Sequence, residues 1–282
     1  MKKQKICAVV LNYKAYEETI ICVNSLLKQD YDNFEVVIVE NGSNNESLEK
    51  LEETFCSNNL VHILSSEKNL GFANGNNLGI VFARENLKAD FVFVTNSDII
   101  VPENLFYDIS QLDYKGIGAI SPTVHKADGS YQMPNENTND IKARIRFLAS
   151  HLLIAKARRL FLRKKVKKIS KVTSVNIPEQ WNKYVLQGCS YFLTPEFFKK
   201  YNKLYPKTFL YWEEINLLYY LYKADLITVL LKTDPVIHKD KGSTSLIADD
   251  LSSFQLKHSF KSMLKSLPLF NKSYSKIRKK YN

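Results

Sequence analysis

The chain has 282 residues, 45% of them apolar, which is enough for one large α/β domain or two modest ones around a sizeable core. No run approaches the ~20 apolar residues that a bilayer span needs, and the apolar stretch 6–11 is too short for a signal-peptide core, so a cytoplasmic protein is expected. The net charge of +11 is localised: residues 141–178 hold twelve Lys or Arg and no acid, leaving 28 basic against 29 acidic residues elsewhere.

Residues 6–11 read as a short buried strand with Asn12 and Tyr13 at its end. Residues 16–28 place Glu17 and Glu18 in the first turn of a helix, with Ile20, Val23, Leu26 and Leu27 on an apolar face. A second strand, 34–39, ends in Glu40-Asn41-Gly42-Ser43. A helix over 47–55 and a third strand over 61–64 follow. The segment 69–79 (NLGFANGNNLG) is a glycine- and asparagine-rich loop running into a helix that lasts to about Asn86. The stretch 91–101 (FVFVTNSDIIV) is a buried strand that delivers Asn96, Ser97 and Asp98 at its carboxyl end.

Four strands alternating with three helices predict a parallel sheet with right-handed crossovers. All four strand ends are polar, and parallel connectivity gathers them on one edge, where open α/β sheets bind ligands. A carboxylate such as Asp98, with small neighbours, suits a hard divalent cation shared with a substrate phosphate, since such ions need only one or two protein carboxylates. The glycines of 69–79 let backbone N–H groups approach a ligand. Neither a G-x-x-x-x-G-K-S/T loop nor a G-x-G-x-x-G fingerprint is present, which argues against a P-loop ATPase and a dinucleotide enzyme. Cys7, Cys22, Cys56 and Cys189 are scattered, without C-x-x-C pairs, so reduced packing residues are expected.

The segments 8–13 (AVVLNY), 37–43 (VIVENGS), 69–79 and 95–99 (TNSDI) resemble, in order and spacing, the inverting family 2 glycosyltransferases, especially the rhamnosyltransferase-like branch of bacterial surface-polysaccharide synthesis. The resemblance continues through 187–193 (QGCSYFL), similar to an acceptor-side strand, 211–217 (YWEEINL), similar to a paired-acid motif, and 236–243, similar to a closing histidine segment. It covers about residues 6–245. It implies an α/β, GT-A-like fold for nucleotide-diphospho-sugars, with a Rossmann-like, mostly parallel central sheet flanked by helices. On this resemblance Glu40 contacts the base with Asn12 and Tyr13, and Asn41, Asn69, Gly71, Asn77 and Asn96 complete the donor site. Asp98 and His238 hold Mg²⁺ or Mn²⁺ near the diphosphate, Glu214 is the general base, and Gly188, Cys189 and Glu213 face the acceptor. The family usually has Asp where Glu40 and Glu214 stand, and its acidic metal motif is reduced here to Asn96-Ser97-Asp98.

Inverting transfer requires a base opposite the leaving group and positive charge at the departing diphosphate. Within 141–163 apolar residues recur at three- and four-residue steps among the basic ones, the pattern of an amphipathic helix on an anionic membrane surface, and 246–282 forms a second basic, helical tail. The expected organisation is a catalytic domain over 1–245, with a nucleotide-binding half 1–101 and an acceptor-binding half 102–245 carrying a basic insertion at 141–171. The expected activity moves one sugar to a lipid-linked glycan acceptor at the inner face of the cell membrane. A homo-oligomer is compatible with either basic element. No nucleic-acid motif is present, and the absence of transmembrane helices and of Q-x-x-R-W disfavours a processive synthase. The alternative is a catalytically inactive glycosyltransferase-like partner protein, to which the Asp-to-Glu departures point.

Overall fold

The computed structural model describes residues 3–132, 135–136, 184–240 and 251–281, with the backbone alone at 135–136, 184–185 and 251–253. The basic insertion expected at 141–171 lies outside the described residues.

The amino-terminal half follows the alternation seen in the sequence. Strand β1 (Ile6–Asn12) leads into α1 (Tyr16–Leu26), β2 (Phe34–Glu40), α2 (Ser47–Phe55), β3 (Val61–Ser65), α3 (Phe72–Glu85) and β4 (Phe91–Asn96). Helix α1 stops at Leu26, two residues before the expected end: the Leu27 N–H still bonds the Val23 carbonyl at 2.9 Å, but the Lys28 N–H turns to the Ser25 carbonyl at 3.3 Å, a tighter turn that ends the helix. β1 pairs in parallel with β2 on one side and β4 on the other, and β3 extends the sheet beyond β2. The register Asn12↔Glu40 and Leu11↔Asn96 aligns the three polar strand ends on one edge.

Beyond β4 the sheet changes character. A two-residue strand β5 (Ile99–Ile100) precedes α4 (Leu105–Ser110), β6 (Ile117–Ser121), β7 (Val124–Lys126) and the small pair β8 (Asn135–Glu136) and β9 (Tyr184–Val185). Strand β10 (Ser190–Leu193) inserts antiparallel between β4 and β6, then α5 (Pro195–Lys200), α6 (Glu213–Lys223), β11 (Ile227–Leu230) and β12 (Val236–His238) follow. The result is a seven-stranded, mostly parallel sheet in the order β11-β6-β10-β4-β1-β2-β3, beside a three-stranded sheet β5-β12-β7. Helices α7 (Leu251–Phe270) and α8 (Tyr274–Tyr281) close the described chain. Among the described residues no helix is long and apolar enough to cross a membrane.

The central strands are buried on both faces, which explains why they read as continuous apolar runs rather than alternating ones. One core holds Val9, Val94, Tyr191, Tyr201 and Tyr220 under α3, α6 and α8; the other holds Val10, Phe93, Phe106 and Phe192 under α1 and α4. The Phe93 and Phe192 rings stack at 4.3 Å, locking β10 to β4. Each such buried ring contributes about 1.5–3 kcal/mol. Cys7, Cys22 and Cys189 are buried and unbridged, as expected of packing thiols.

Candidate active site

The first wall of the site is the edge where β1, β2 and β3 end. Asn12 is fully buried, its Oδ1 accepting from Thr19 Oγ1 at 2.9 Å, and its backbone carbonyl takes the Asn41 N–H at 2.9 Å. Ser43 Oγ accepts the Lys14 N–H at 2.8 Å and faces Asn12 Nδ2 at 3.5 Å. The chain reaches this arrangement because Lys14 adopts a left-handed φ of 60°, leaving Tyr13 half-exposed at the rim. Glu40 folds its carboxylate back over its own turn, accepting from the Gly42 N–H at 3.2 Å and the Ser43 N–H at 2.9 Å. Two backbone donors fix its position, and each oxygen retains a lone pair for a further donor.

Asn41 braces the asparagine-rich loop. Its Oδ1 accepts the Leu70 N–H at 3.0 Å, and its Nδ2 donates to Asn69 Oδ1 at 3.2 Å and the Gly71 carbonyl at 3.4 Å. Asn69 Oδ1 in turn accepts the Gly71 N–H at 2.8 Å. Gly71 has φ +80°, and an added Cβ would lie 2.2 Å from the Phe209 carbonyl, so this turn requires glycine. Asn77, one and a half turns into α3, spends its amide on the Leu204 backbone: Nδ2 donates to the carbonyl at 3.0 Å and Oδ1 accepts the N–H at 2.8 Å. It ties α3 to the segment that leads into α6.

The second wall follows β4. The Asn96 N–H donates to the Cys189 carbonyl at 2.9 Å, and the turn beyond it carries Ser97 and Asp98, both buried. β5 then pairs antiparallel with β12 in the register His238↔Ile99, which sets the histidine beside Asp98. His238 Nε2 lies 3.4 Å from Asp98 Oδ2, while Nδ1 faces Gln132 Oε1 at 3.0 Å and Asp240 Oδ1 at 3.3 Å. Burial works against the charged imidazole, but the hydrogen bond to Asp98 and the charges of Asp98 and Asp240 outweigh it and raise the His238 pKa. The other carboxylate oxygen, Asp98 Oδ1, is sealed from solvent and accepts from no donor. Such an orphaned anionic oxygen costs free energy unless a cation or donor reaches it. Asp98 thus fits a divalent ion whose remaining positions are water and substrate oxygens, and His238 can join it at Nε2 only as the neutral imidazole. Among the described residues no group of three or more His, Cys, Asp or Glu forms a closed metal cage.

The third wall is the start of α6. Tyr211 and Trp212 both take left-handed φ values, 69° and 74°, conformations that cost a non-glycine residue energy and therefore need external support. Helix α7 supplies it: Trp212 Nε1 donates to Ser259 Oγ at 3.1 Å, and Ser262 Oγ donates to the Leu210 carbonyl at 2.7 Å. The reward is a helix N-terminus presenting Glu213 and Glu214. Glu213 Oε1 is out of solvent and unpartnered; burial, with the neighbouring Glu214 charge adding in the same direction, pushes its pKa well above the carboxylate range. Glu214 packs on Gly188, where an added Cβ would meet Oε1 at 2.1 Å.

One turn, Gly188-Cys189, joins the walls. It touches the Glu214 carboxylate on one side and holds Asn96 on the other, and the Cys189 thiol, raised first by burial, feels the charges of Asp98, Glu214 and Asp240 together. The structure thus gathers Asp98, His238, Gly188, Cys189, Glu213 and Glu214, and separately gathers Asn12, Glu40, Asn41, Asn69 and Gly71 along the adjoining sheet edge. Gln132, Ser259 and Ser262 are site-building residues that sequence reasoning missed; each is an ordinary polar residue without local pattern, placed only by tertiary pairing.

A profile of the family described as glycosyl transferase family 2 matches residues 7–170, more than half of the chain. Glycosyltransferase GlyG of Streptococcus pneumoniae is 33% identical over 106 residues, which cover 38% of this chain and 34% of that protein. The chain thus spans about a third of the length of this curated relative. Staphylococcus aureus TarS 1–349 in complex with UDP-GlcNAc superposes with a TM-score of 0.60 at 15% identity, covering 85% of this chain and 60% of that one. The mannosyltransferase PcManGT from Pyrobaculum calidifontis, in complex with GDP-Man and Mn²⁺, gives 0.60 at 11% identity, covering 99% and 68%. At these identities the likeness establishes a shared fold.

Proposed function

The chain belongs to glycosyl transferase family 2 and has the GT-A fold, and we propose that it is an inverting glycosyltransferase that moves one hexosyl or deoxyhexosyl unit from a nucleotide-diphospho-sugar to a lipid-linked glycan acceptor. The observation that carries this reading is the Gly188-Cys189 turn, which has the Glu214 carboxylate against one side and the Asn96–Asp98 strand end against the other. The turn thereby brings the proposed base and the diphosphate-side carboxylate into one site.

In this reading the base of the donor lies at Tyr13 and Glu40, with Asn12 as support. The rigid 69–71 turn lines the donor, held by Asn41. Asp98 and His238 would hold Mg²⁺ or Mn²⁺, which would supply Lewis-acid stabilisation of the departing diphosphate. Gln132 and Asp240 orient the imidazole from its other nitrogen. Burial and the neighbouring Glu214 charge push the Glu213 pKa well up, so of the two acids Glu213 is the one the site favours in its neutral form. Glu214 takes the proton of the acceptor hydroxyl as its oxygen attacks the anomeric carbon from the face opposite the diphosphate. The C–O bond to the diphosphate breaks and the nucleoside diphosphate leaves, inverting the anomeric configuration. The basic 141–171 segment is proposed to hold the enzyme at the inner membrane face, where such acceptors reside.

The test is turnover of a panel of nucleotide sugars with a short lipid-linked acceptor, with and without Mn²⁺, for the parent, Asp98→Ala and Glu214→Gln, reading nucleoside diphosphate release and the anomeric NMR signal of the product. Metal-dependent turnover with inversion, lost in both variants, is expected. Donor binding without turnover in the parent would favour the inactive partner-protein reading.

A further inference from the structure

We propose that a cavity between the C-terminal helices and the segment entering α6 is a diphosphate subsite, separate from Asp98, that takes the diphosphate of the acceptor; the word acceptor rests on the glycosyl-transfer reading, whereas the anion subsite does not. The cavity is open to solvent, measures about 610 Å³, and is the size of a small-molecule site. Lys207, Lys265 and Lys280 line it, one each from the segment before α6, from α7 and from α8. No Asp or Glu lines it. Among the described residues none of these three lysines forms an ion pair, whereas Lys5, Lys50, Lys199 and Lys239 all have carboxylate partners. The three side chains are exposed, and folding brings them from separate elements to one acid-free cavity, with Lys280 Nζ over the Tyr281 ring at 5.7 Å. The positive field of that lining favours an anion.

The lining also says which anion. Thr208 lines it but keeps its unpartnered hydroxyl out of solvent, so the three lysines supply its polar chemistry. Leu70 and Phe209 give it apolar surface, which free inorganic anions do not need and an organic ester does. Lysine is a point-charge binder of phosphate, and three of them match a diphosphate better than a single carboxylate.

The cavity shares Leu70 with the donor-side 69–71 turn but lies apart from the carboxylate placed at the donor's diphosphate. Asp98 and His238 are not among its lining residues. Phe209 precedes Glu213 by four residues along the chain, and its carbonyl accepts the Phe72 N–H at 2.7 Å, so the same segment touches the 69–71 turn and then delivers the acid pair. Tyr205 Oη donates to the Lys265 carbonyl at 2.6 Å, fixing α7 against this segment. A ligand held by the three lysines would rest on the segment that leads into Glu213 and Glu214, with Leu70 of the 69–71 turn on its other side.

The test is titration calorimetry of the full chain with a short prenyl diphosphate and with inorganic diphosphate, each in the presence of saturating nucleoside diphosphate, for the parent, Lys265→Ala/Lys280→Ala, Lys207→Ala and Asp98→Ala. Vesicles of phosphatidylglycerol form a further arm. The prenyl diphosphate is expected to bind the parent and Asp98→Ala equally, and about tenfold more weakly for each lysine removed, the scale of one charge-assisted hydrogen bond. Inorganic diphosphate is expected to bind the same lysines more weakly. Equal affinity for the two would overturn the acceptor assignment and leave an anion subsite for free diphosphate. No binding by the parent, displacement by the nucleoside diphosphate, or unchanged affinity in both lysine variants would overturn the subsite itself. So would vesicle binding without any soluble diphosphate binding, which would mark a membrane-facing charge patch. All these readings are independent of turnover, so a failed donor assay does not decide them.

Discussion

Replacing Gly188 with alanine is the sharpest perturbation of the acid pair. Gly188 has no left-handed φ, so its backbone accepts alanine without strain, and the whole effect comes from one methyl group. That methyl would stand 2.1 Å from Glu214 Oε1 and 2.8 Å from its Cδ. Ordinary contact begins near 3.4 Å, so the carboxylate oxygen must retreat by 3.4 Å less 2.1 Å, about 1.3 Å. Because the clash is with the far end of a flexible side chain, the fold absorbs it and the base bears it. Misplacement of a reacting group by about 1 Å costs on the order of 100-fold in rate. Steady-state kinetics should therefore show kcat down about 100-fold, with the KM for the donor unchanged and the melting temperature close to the parent's. Combining Gly188→Ala with Glu214→Gln should cost little more than Glu214→Gln alone, since both act through one group. A folded Gly188→Ala protein that turns over at the parent's rate would refute the role given to Glu214.

Other consequences follow from single contacts. Asn77→Ala strips two hydrogen bonds from the buried Leu204 backbone and should cost about 2–4 kcal/mol in urea unfolding, with nucleotide affinity at saturating stability unaffected. Gly71→Ala forces a Cβ to 2.2 Å from the Phe209 carbonyl at a φ of +80°, so a loss of at least about 2 kcal/mol is expected in the same assay, together with weaker donor binding. Glu213 has a folded pKa raised above its ordinary 4.5, so the native state binds its proton more tightly than the unfolded chain does. Its stabilising contribution is complete below pH 4.5 and is lost as pH rises toward the folded value. Glu213→Gln, which needs no proton, should therefore gain on the parent in melting temperature as pH increases from 4.5, and a constant difference across pH would contradict the assignment.

The amino-terminal half was legible because its signals are local. Continuous apolar runs marked β1, β2 and β4 as strands buried on both faces, and polar residues at their ends marked the ligand edge, with Asn12, Glu40 and Asn96 in register as parallel pairing demands. Gly71 was legible as a glycine but not for its reason, which is Phe209, far along the chain. The antiparallel insertion of β10 between β4 and β6 has no counterpart in local pattern; it depends on packing such as Phe93 against Phe192. Asp98 and His238 could be suspected separately, but only the β5–β12 pairing sets them side by side. The basic C-terminal tail reads from the sequence as a surface element, whereas α7 also buttresses the strained Tyr211-Trp212 turn, through serines that carry no sequence signal. Charge and periodicity report what a helix shows to solvent, and say little about which partner its small polar residues meet.

The central claim is that Asp98 and its metal hold the diphosphate of a nucleotide sugar. Thermal unfolding of the parent and Asp98→Ala with a panel of nucleoside diphosphates and nucleotide sugars, with and without Mn²⁺, tests it most directly. A ligand at 100 times its dissociation constant stabilises the native state by about 2.7 kcal/mol. A shift of that size is expected for one nucleotide class in the parent, dependent on Mn²⁺ and lost in Asp98→Ala. A parent that no nucleotide stabilises, or a variant that keeps the metal-dependent shift, would contradict it.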